Sequence, residues 1–185
     1  MVTNMNVEQA IKERRAYRAL DLVDITEELI QKLAEAAQLA PSCFNNQPSR
    51  FVFIHTPKVL EKLHPVLTRG NKWVEAASLI IVVYSQRDLD CKLPGRDYYL
   101  FDIGLSTAFL ILRATELGLV AHPIAGFDDE KVKEILDIPQ DMTVITLVIV
   151  GKHSETISDL LSEKQASVET NRPPRKTVEE FISIR

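Results

Sequence analysis

The chain has 185 residues, with 22 lysines and arginines against 26 acidic residues and a formal net charge of −4. That length suits one domain with a substantial core, and a hydrophobic fraction of 45% with 26% charged residues is the composition of an ordinary globular protein. The negative balance argues against generic polyanion binding, so nucleic acid is not an expected partner and any basic cluster must be local.

The opening residues show no apolar signal core and move straight into a charged helical pattern, which makes a cytoplasmic location the expectation. Val7, Ala10 and Ile11 recur at helical spacing. This helix is expected to run on into residues 14–18, RRAYR, where Arg14, Arg15 and Arg18 put three guanidiniums within five residues. Such a run is either a solvated basic helix end, favoured by the helix dipole, or a grip on phosphate or another anion. Thr26, followed by Glu27 and Glu28, reads as an N-cap with acidic first-turn residues. Leu29, Ile30, Leu33, Ala36, Ala37 and Ala40 then continue one amphipathic face until Pro41. The following loop, residues 40–51, carries Ser42, Asn45, Asn46 and Gln47 between prolines. That density of hydroxyls and amides suits a planar polar ligand, although an ordinary polar turn has the same composition.

Residues 51–54 read as a strand, Pro57 opens a short helix, and residues 69–72 form a polar turn. LIIVVY at residues 79–84 is expected as a strand buried on both faces. From Asp97 to Leu117 the pattern is helical and apolar nearly all round, and Asp102, Ser106, Arg113 and Glu116 fall on one stripe roughly 80° wide. One domain's core can cover one side of such a helix, and a second subunit is the simplest cover for the other. The charged residues leave no uninterrupted apolar run of about 18 residues, so a membrane span is not expected. A short strand from Leu119 leads into a turn at Pro123, Ile124, Ala125 and Gly126. Asp128 is expected to cap a further helix, and residues 144–150 form the last strong strand. Residues 153–185 are too polar for a second domain and read as an arm wrapping another surface, with a stiff basic stretch at residues 172–176.

Much chemistry can be set aside. The six glycines form no dinucleotide fingerprint and no phosphate-binding P-loop. His55, His64, His122 and His153 are scattered without metal-ligand spacing, so no metal is expected. Cys43 and Cys91 do not make a disulfide scaffold and fit a reducing compartment; Cys43 is expected as a small buried or half-buried thiol rather than a nucleophile. What remains suits a ligand with a phosphate at one end and a polar heterocycle at the other. Flavin mononucleotide (FMN) fits, but composition does not single it out.

Five segments, in order, resemble the nitroreductase family of FMN-dependent oxidoreductases over nearly the whole chain. They are RRAYR at residues 14–18, APSCFNNQP at residues 40–48, PIAGFD at residues 123–128, residues 136–151, and Arg175 before Val178. The second is the most specific. The resemblance implies an α+β fold, a three-layer α/β/α sandwich with a mixed, mainly antiparallel sheet, assembled as a swapped homodimer with two FMN sites at the interface. Residues 1–152 would form the FMN-binding domain and residues 153–185 its C-terminal arm on the partner subunit. Arg14 would hold the phosphate with Arg175, helped by Arg172. Arg18 would face the N1/O2 edge of the ring, and Arg69 the pyrimidine edge. Arg15, Ala16 and Gln47 belong to the same cofactor set, with Ala16 standing where the family often has serine. Pro41, Ser42 and Asn45 would come from the other subunit. Pro123 and Ile124 lead to Ala125 and Gly126, whose backbone would face flavin N5, where a side chain on Gly126 would obstruct the flavin's approach.

The implied activity is hydride transfer from NADH or NADPH through flavin N5 to a small acceptor such as a quinone or nitroaromatic. No protein acid or base is required, because the cofactor carries the chemistry. Two alternatives keep the fold: a different flavin reaction, such as dehalogenation or flavin breakdown, and a non-catalytic flavin-binding regulatory dimer.

Overall fold

The computed structural model describes residues 5–185, so the first four residues of the segment read for a signal core lie outside the described residues. The first helix, α1 (Val7–Glu13), starts at a capping box in which the Asn6 side chain and the N3 residue Gln9 each accept a backbone N–H from the other. It stops at Arg14, whose φ of −53° and ψ of 120° are not helical. The arginine run is therefore an extended segment after the helix and not its basic end, which frees the backbone of residues 14–19 to bond elsewhere. A two-residue strand, β1 (Leu20–Asp21), follows. Helix α2 (Glu27–Gln38) is capped by Thr26, whose side chain accepts the Leu29 N–H, as its sequence predicts.

Then come β2 (Arg50–Ile54), α3 (Pro57–Leu63), a 3-10 stretch over Arg69–Ala76, and β3 (Leu79–Ser85). The long helix α4 (Tyr99–Glu116), β4 (Val120–Ile124), α5 (Asp129–Leu136), β5 (Thr143–His153) and α6 (Glu163–Thr170) complete the order. Strand β5 pairs with β1, β3 and β4, and β2 pairs with β3. Every pairing among the described residues is antiparallel. The expected strand at residues 144–150 runs on to His153 because Lys152 and His153 find partners in β1.

Alternation along β3 explains the layers. Leu79, Ile81 and Val83 pack with Leu33 and Ala37 of α2 and Ile103, Leu110 and Ala114 of α4. Ile80 and Val82 face the other way, onto α3, Trp73 and Val132 of α5. Both sides of β3 are closed, as expected of a continuous apolar strand. The fold is an α+β sandwich, helix layers flanking one sheet. Among the described residues no helix is long and apolar enough to cross a membrane.

In helix α4 part of the polar stripe faces inward. Asp102 and Ser106 are buried, whereas Phe101 and Phe109 stand exposed at 57% and 40%. The polar stripe turns inward because its atoms hold the neighbouring loop: Asp102 accepts the Cys43 N–H at 2.6 Å, and the hydroxyls of Ser106 and Ser49 lie 2.6 Å apart. Helix α6 is a surprise, since residues 153–185 read as an arm. A second capping box, between Ser162 and Gln165, starts α6, and Glu169 anchors it to the body of its own chain.

The cysteines are paired, which corrects the expected free thiol at Cys43. Cys43 and Cys91 form a disulfide across 48 residues, with Cα atoms 6.2 Å apart. The loop after α2 and the segment after β3 meet beside α4, a proximity that sequence spacing does not reveal. Cysteine usage therefore gives no argument for a reducing compartment.

Candidate functional site

Arginines from the two ends of the chain converge. Arg14, Arg15, Ala16 and Arg18 line a cavity of about 330 Å³ together with Lys164, Gln165, Val168, Arg172, Pro173 and Arg175. The extended segment after α1 supplies one wall and α6 with its following turn the other. Glu169, 6% exposed, fixes the first wall by accepting the backbone N–H groups of Arg18 at 3.0 Å and Ala19 at 3.2 Å. Arg172 fixes the second by donating to the carbonyls of Lys12 and Arg14. Arg15 is committed to structure, donating to the Val168 carbonyl at 2.7 Å with its guanidinium 4.5 Å from the Tyr17 ring centroid.

Arg14, Arg18 and Arg175 enter no salt bridge among the described residues. Burial lowers the affinity of the Arg14 guanidinium for its proton, and the charges of Arg172 and Arg175 push the same way. Guanidiniums crowded without a counter-charge make a site that an anion completes.

His122 sits below this cluster, stacked on Trp73 with ring centroids 4.8 Å apart and with Nδ1 3.0 Å from the Tyr17 carbonyl. That carbonyl can only accept, so Nδ1 carries the proton in the neutral ring. Burial, aided by the charges of Arg18 and Arg14, lowers the His122 pKa from 6.5 to about 4 against the opposing Tyr17 bond. The unfolded chain therefore takes up a proton that the folded chain refuses as pH falls from 6.5 towards 4. Stability from this group is complete above pH 6.5 and is lost on acidification, by roughly 2 kcal/mol between pH 7 and pH 5. Urea melts at those two pH values should show that loss, and His122→Gln should flatten it; an equal decline in the variant would remove His122 as its source.

The other expected cofactor residues lie in two further places. Arg69 begins the 3-10 stretch and is exposed. Beside it the Gly126 carbonyl accepts from the Thr68 N–H at 3.0 Å and from Asn71 Nδ2 at 2.9 Å. Pro123 and Ala125 are exposed and Ile124 is buried, so this strand end presents one edge outward. A Cβ on Gly126 would lie 2.4 Å from Thr68 Oγ1 and 2.6 Å from Asn71 Nδ2. The chain's own packing thus already leaves little room for a side chain there. Gln165 of α6 donates to the Gly70 carbonyl at 2.7 Å and ties this turn to the arginine wall.

Pro41, Ser42 and Gln47 line a separate cavity of about 360 Å³ with Phe51, Phe53, Asp102 and Ser106. The two cavities share no residue. Asn45 is exposed in the same loop. Phe44, Asn45 and Gln47 all have φ near +50° (47°, 58° and 50°). Left-handed backbone at non-glycine residues costs of order 1–3 kcal/mol each and persists where the surroundings impose it. Here the Gln47 N–H donates to Ser42 Oγ at 2.9 Å, and Cys43 is held by both Asp102 and Cys91. The grouping Cys43, Asp90 and Cys91 has ligand-like spacing, but its sulfurs are bonded to each other.

The family model described as nitroreductase matches residues 11–72 and 67–152. The chain belongs to the nitroreductase family. A relative from Methanothermobacter thermautotrophicus, provisionally named an NADH dehydrogenase/NAD(P)H nitroreductase, is 29% identical over 158 residues, covering 83% of this chain and 81% of that protein. One of the same provisional name from Archaeoglobus fulgidus is 31% identical over 147 residues, covering 76% and 82%. Among solved structures, an oxidoreductase containing FMN superposes with a TM-score of 0.79 at 28% identity, over 98% of this chain and 92% of that one. A provisionally named nitroreductase from Exiguobacterium sibiricum in complex with FMN gives 0.80 at 23% identity over 99% of each chain, which supports the nitroreductase fold.

Sequence reading of this nitroreductase-family chain missed Glu169, Gln165 and Asn71. All three act through backbone groups far away in sequence, which no local pattern announces. The capping box at Ser162 and Gln165 was a signal for α6 that the low hydrophobicity of the segment concealed.

Proposed function

We propose that the protein is an FMN-dependent oxidoreductase that takes hydride from NADH or NADPH and passes it to a small acceptor such as a quinone or nitroaromatic. The carrying observation is the cavity of uncompensated guanidiniums built from both ends of the chain. The provisional NAD(P)H nitroreductase names of the relatives and the FMN of a 28% identical oxidoreductase support the same reading.

In this reading Arg14 and Arg175 hold the phosphate, and Arg172 positions both by its bonds to the α1 end. Arg18, with its backbone clamped by Glu169, offers positive charge to the N1/O2 edge. Arg69 serves the pyrimidine edge, and the exposed edge at Pro123 and Ala125 lies along the ring. FMN, when bound, supplies the hydride acceptor and donor at N5. The chain's residues bind, orient and set potential; none is needed as acid or base.

Pro41, Ser42, Asn45 and Gln47 stand apart from the arginine cavity, and we assign them to the cofactor of a partner subunit in a homodimer. The segment after α6, with exposed Val178, Phe181, Ile182 and Ile184, is the part of the C-terminal arm left to cover that partner.

The decisive experiment is chromatography of the flavin released on denaturation, followed by anaerobic addition of NADH or NADPH. FMN is expected, with bleaching of the bound flavin and reoxidation by a quinone or nitroaromatic. Release of FAD, or a protein that cannot be reconstituted with FMN, would sink the assignment. Flavin that neither nicotinamide reduces would make this a binding protein instead.

A further inference from the structure

The disulfide lies in the middle of the loop that the proposed function assigns to the partner's cofactor, and its surroundings are not those of an inert crosslink. Cys43 and Cys91 are both only half-buried. Asp90 next to them is 6% exposed, and a carboxylate oxygen lies within 4.8 Å of both sulfurs. Asn46 Nδ2 donates to Asp90 Oδ1 at 3.2 Å and stands 3.5 Å from Cys91 Sγ. Asp90 Oδ2 is buried and accepts from no N–H group. The Asp102 carboxyl faces Asp90, and two carboxyls can bond only by sharing a proton. Free thiols at positions 43 and 91 would bring S–H donors to this carboxyl, which the disulfide cannot do.

The loop itself needs pinning. Three of the four residues Phe44 to Gln47 hold left-handed backbone without being glycine, a state that persists only under external constraint. The disulfide is the covalent constraint; the others are hydrogen bonds, among them those from Cys43 to Asp102, from Gln47 to Ser42, from Asn46 to Asp90 and from Arg50 to the Gln47 carbonyl.

We propose that the Cys43–Cys91 disulfide is a redox-reactive site for a dithiol, and that its opening loosens the 42–47 loop and with it the grip on the partner's cofactor. A thiolate of the dithiol attacks Cys43 Sγ, the S–S bond breaks, and the electron pair leaves on Cys91 Sγ, beside the Asn46 amide, where it takes a proton. The second thiol of the reagent then attacks its own sulfur in the mixed disulfide and releases Cys43, which is protonated in turn. In total two electrons and two protons pass to the protein, and the dithiol becomes a cyclic disulfide.

The second half of this proposal rests on the FMN reading, so the test carries one readout independent of flavin. The holoprotein is reduced with dithiothreitol under native conditions and alkylated, and mass spectrometry counts the thiols. Amide hydrogen exchange across residues 43–49 and the FMN dissociation constant are measured before and after reduction. Reduction is expected to expose both cysteines to alkylation, speed exchange at the Cys43 and Gln47 amides by roughly tenfold or more, and weaken FMN about tenfold. Oxidised dithiothreitol should reverse all three. The double variant Cys43→Ser/Cys91→Ser should match the reduced protein and ignore dithiothreitol.

Cysteines that stay inaccessible to dithiothreitol until the protein unfolds would overturn the proposal, and so would reduction that leaves amide exchange unchanged. Faster exchange with unchanged FMN affinity would overturn the coupling. Absence of FMN binding in both redox states would instead count against the FMN reading, while the thiol count and amide exchange still decide whether the site is redox-reactive.

Discussion

Charge reversal at Arg14 is expected to weaken FMN binding by well over tenfold. Arg14 is half-buried among Arg172 and Arg175, whose charges already make its own less favourable. An anion in that cavity relieves the repulsion and gains a charge-assisted hydrogen bond worth roughly 1.5–3 kcal/mol, where each 1.4 kcal/mol is a factor of ten. In Arg14→Glu the same position becomes a repulsion. The apoprotein should respond differently: removing one of three crowded cations should leave its melting temperature unchanged or raised. Flavin titrations and melting curves on the same variant therefore separate a ligand contact from a folding contact. Arg18→Ala, which keeps the phosphate cluster, should mainly lower the flavin potential and slow its reduction. Full FMN retention by Arg14→Glu would mean that the arginine cavity is not the phosphate seat.

The second large effect concerns assembly. Leu100, Phe101 and Phe109 of α4 stand exposed, as do Val7, Ile11 and Leu39 of α1 and the α2 end. Phe109 and Leu112 share an apolar groove with Val7, Ala10, Ala36 and Leu39. Large apolar side chains left in water forgo roughly 1.5–3 kcal/mol each, in sum comparable to a domain's net stability of about 5–15 kcal/mol. A second copy of the chain is the cover we propose, so Phe109→Glu should shift the protein to a monomer that still folds and retains much less FMN. Ile111 is the contrasting position on the same helix. It is 9% exposed and packs with the α2 and β3 residues of its own chain, so Ile111→Glu should unfold the protein rather than merely dissociate it. Sedimentation at several concentrations, with flavin absorbance and circular dichroism on each species, distinguishes the two variants. A Phe109→Glu monomer with stoichiometric FMN would show that one chain builds the whole site. Mass action links the two equilibria if the partner's Ser42 and Asn45 complete it.

Local pattern carried much of this fold. The caps at Thr26 and Asp128, the strand read at residues 79–84 and the long apolar helix could be read directly, because each depends on neighbours within a turn or on an unbroken apolar run. The order of the five motifs likewise points to the nitroreductase family. Tertiary structure alone decided where polar and reactive groups face. Periodicity places Asp102 and Ser106 on one polar stripe without saying where it faces; they turn inward because the 42–49 loop offers hydrogen bonds that must be met once buried. The Cys43–Cys91 pair, and the Glu169 carboxylate on the backbone of Arg18 and Ala19, join positions 48 and about 150 residues apart. Periodicity reports which face of an element is apolar; it holds no record of which distant element arrives there, and that meeting is what shapes this site.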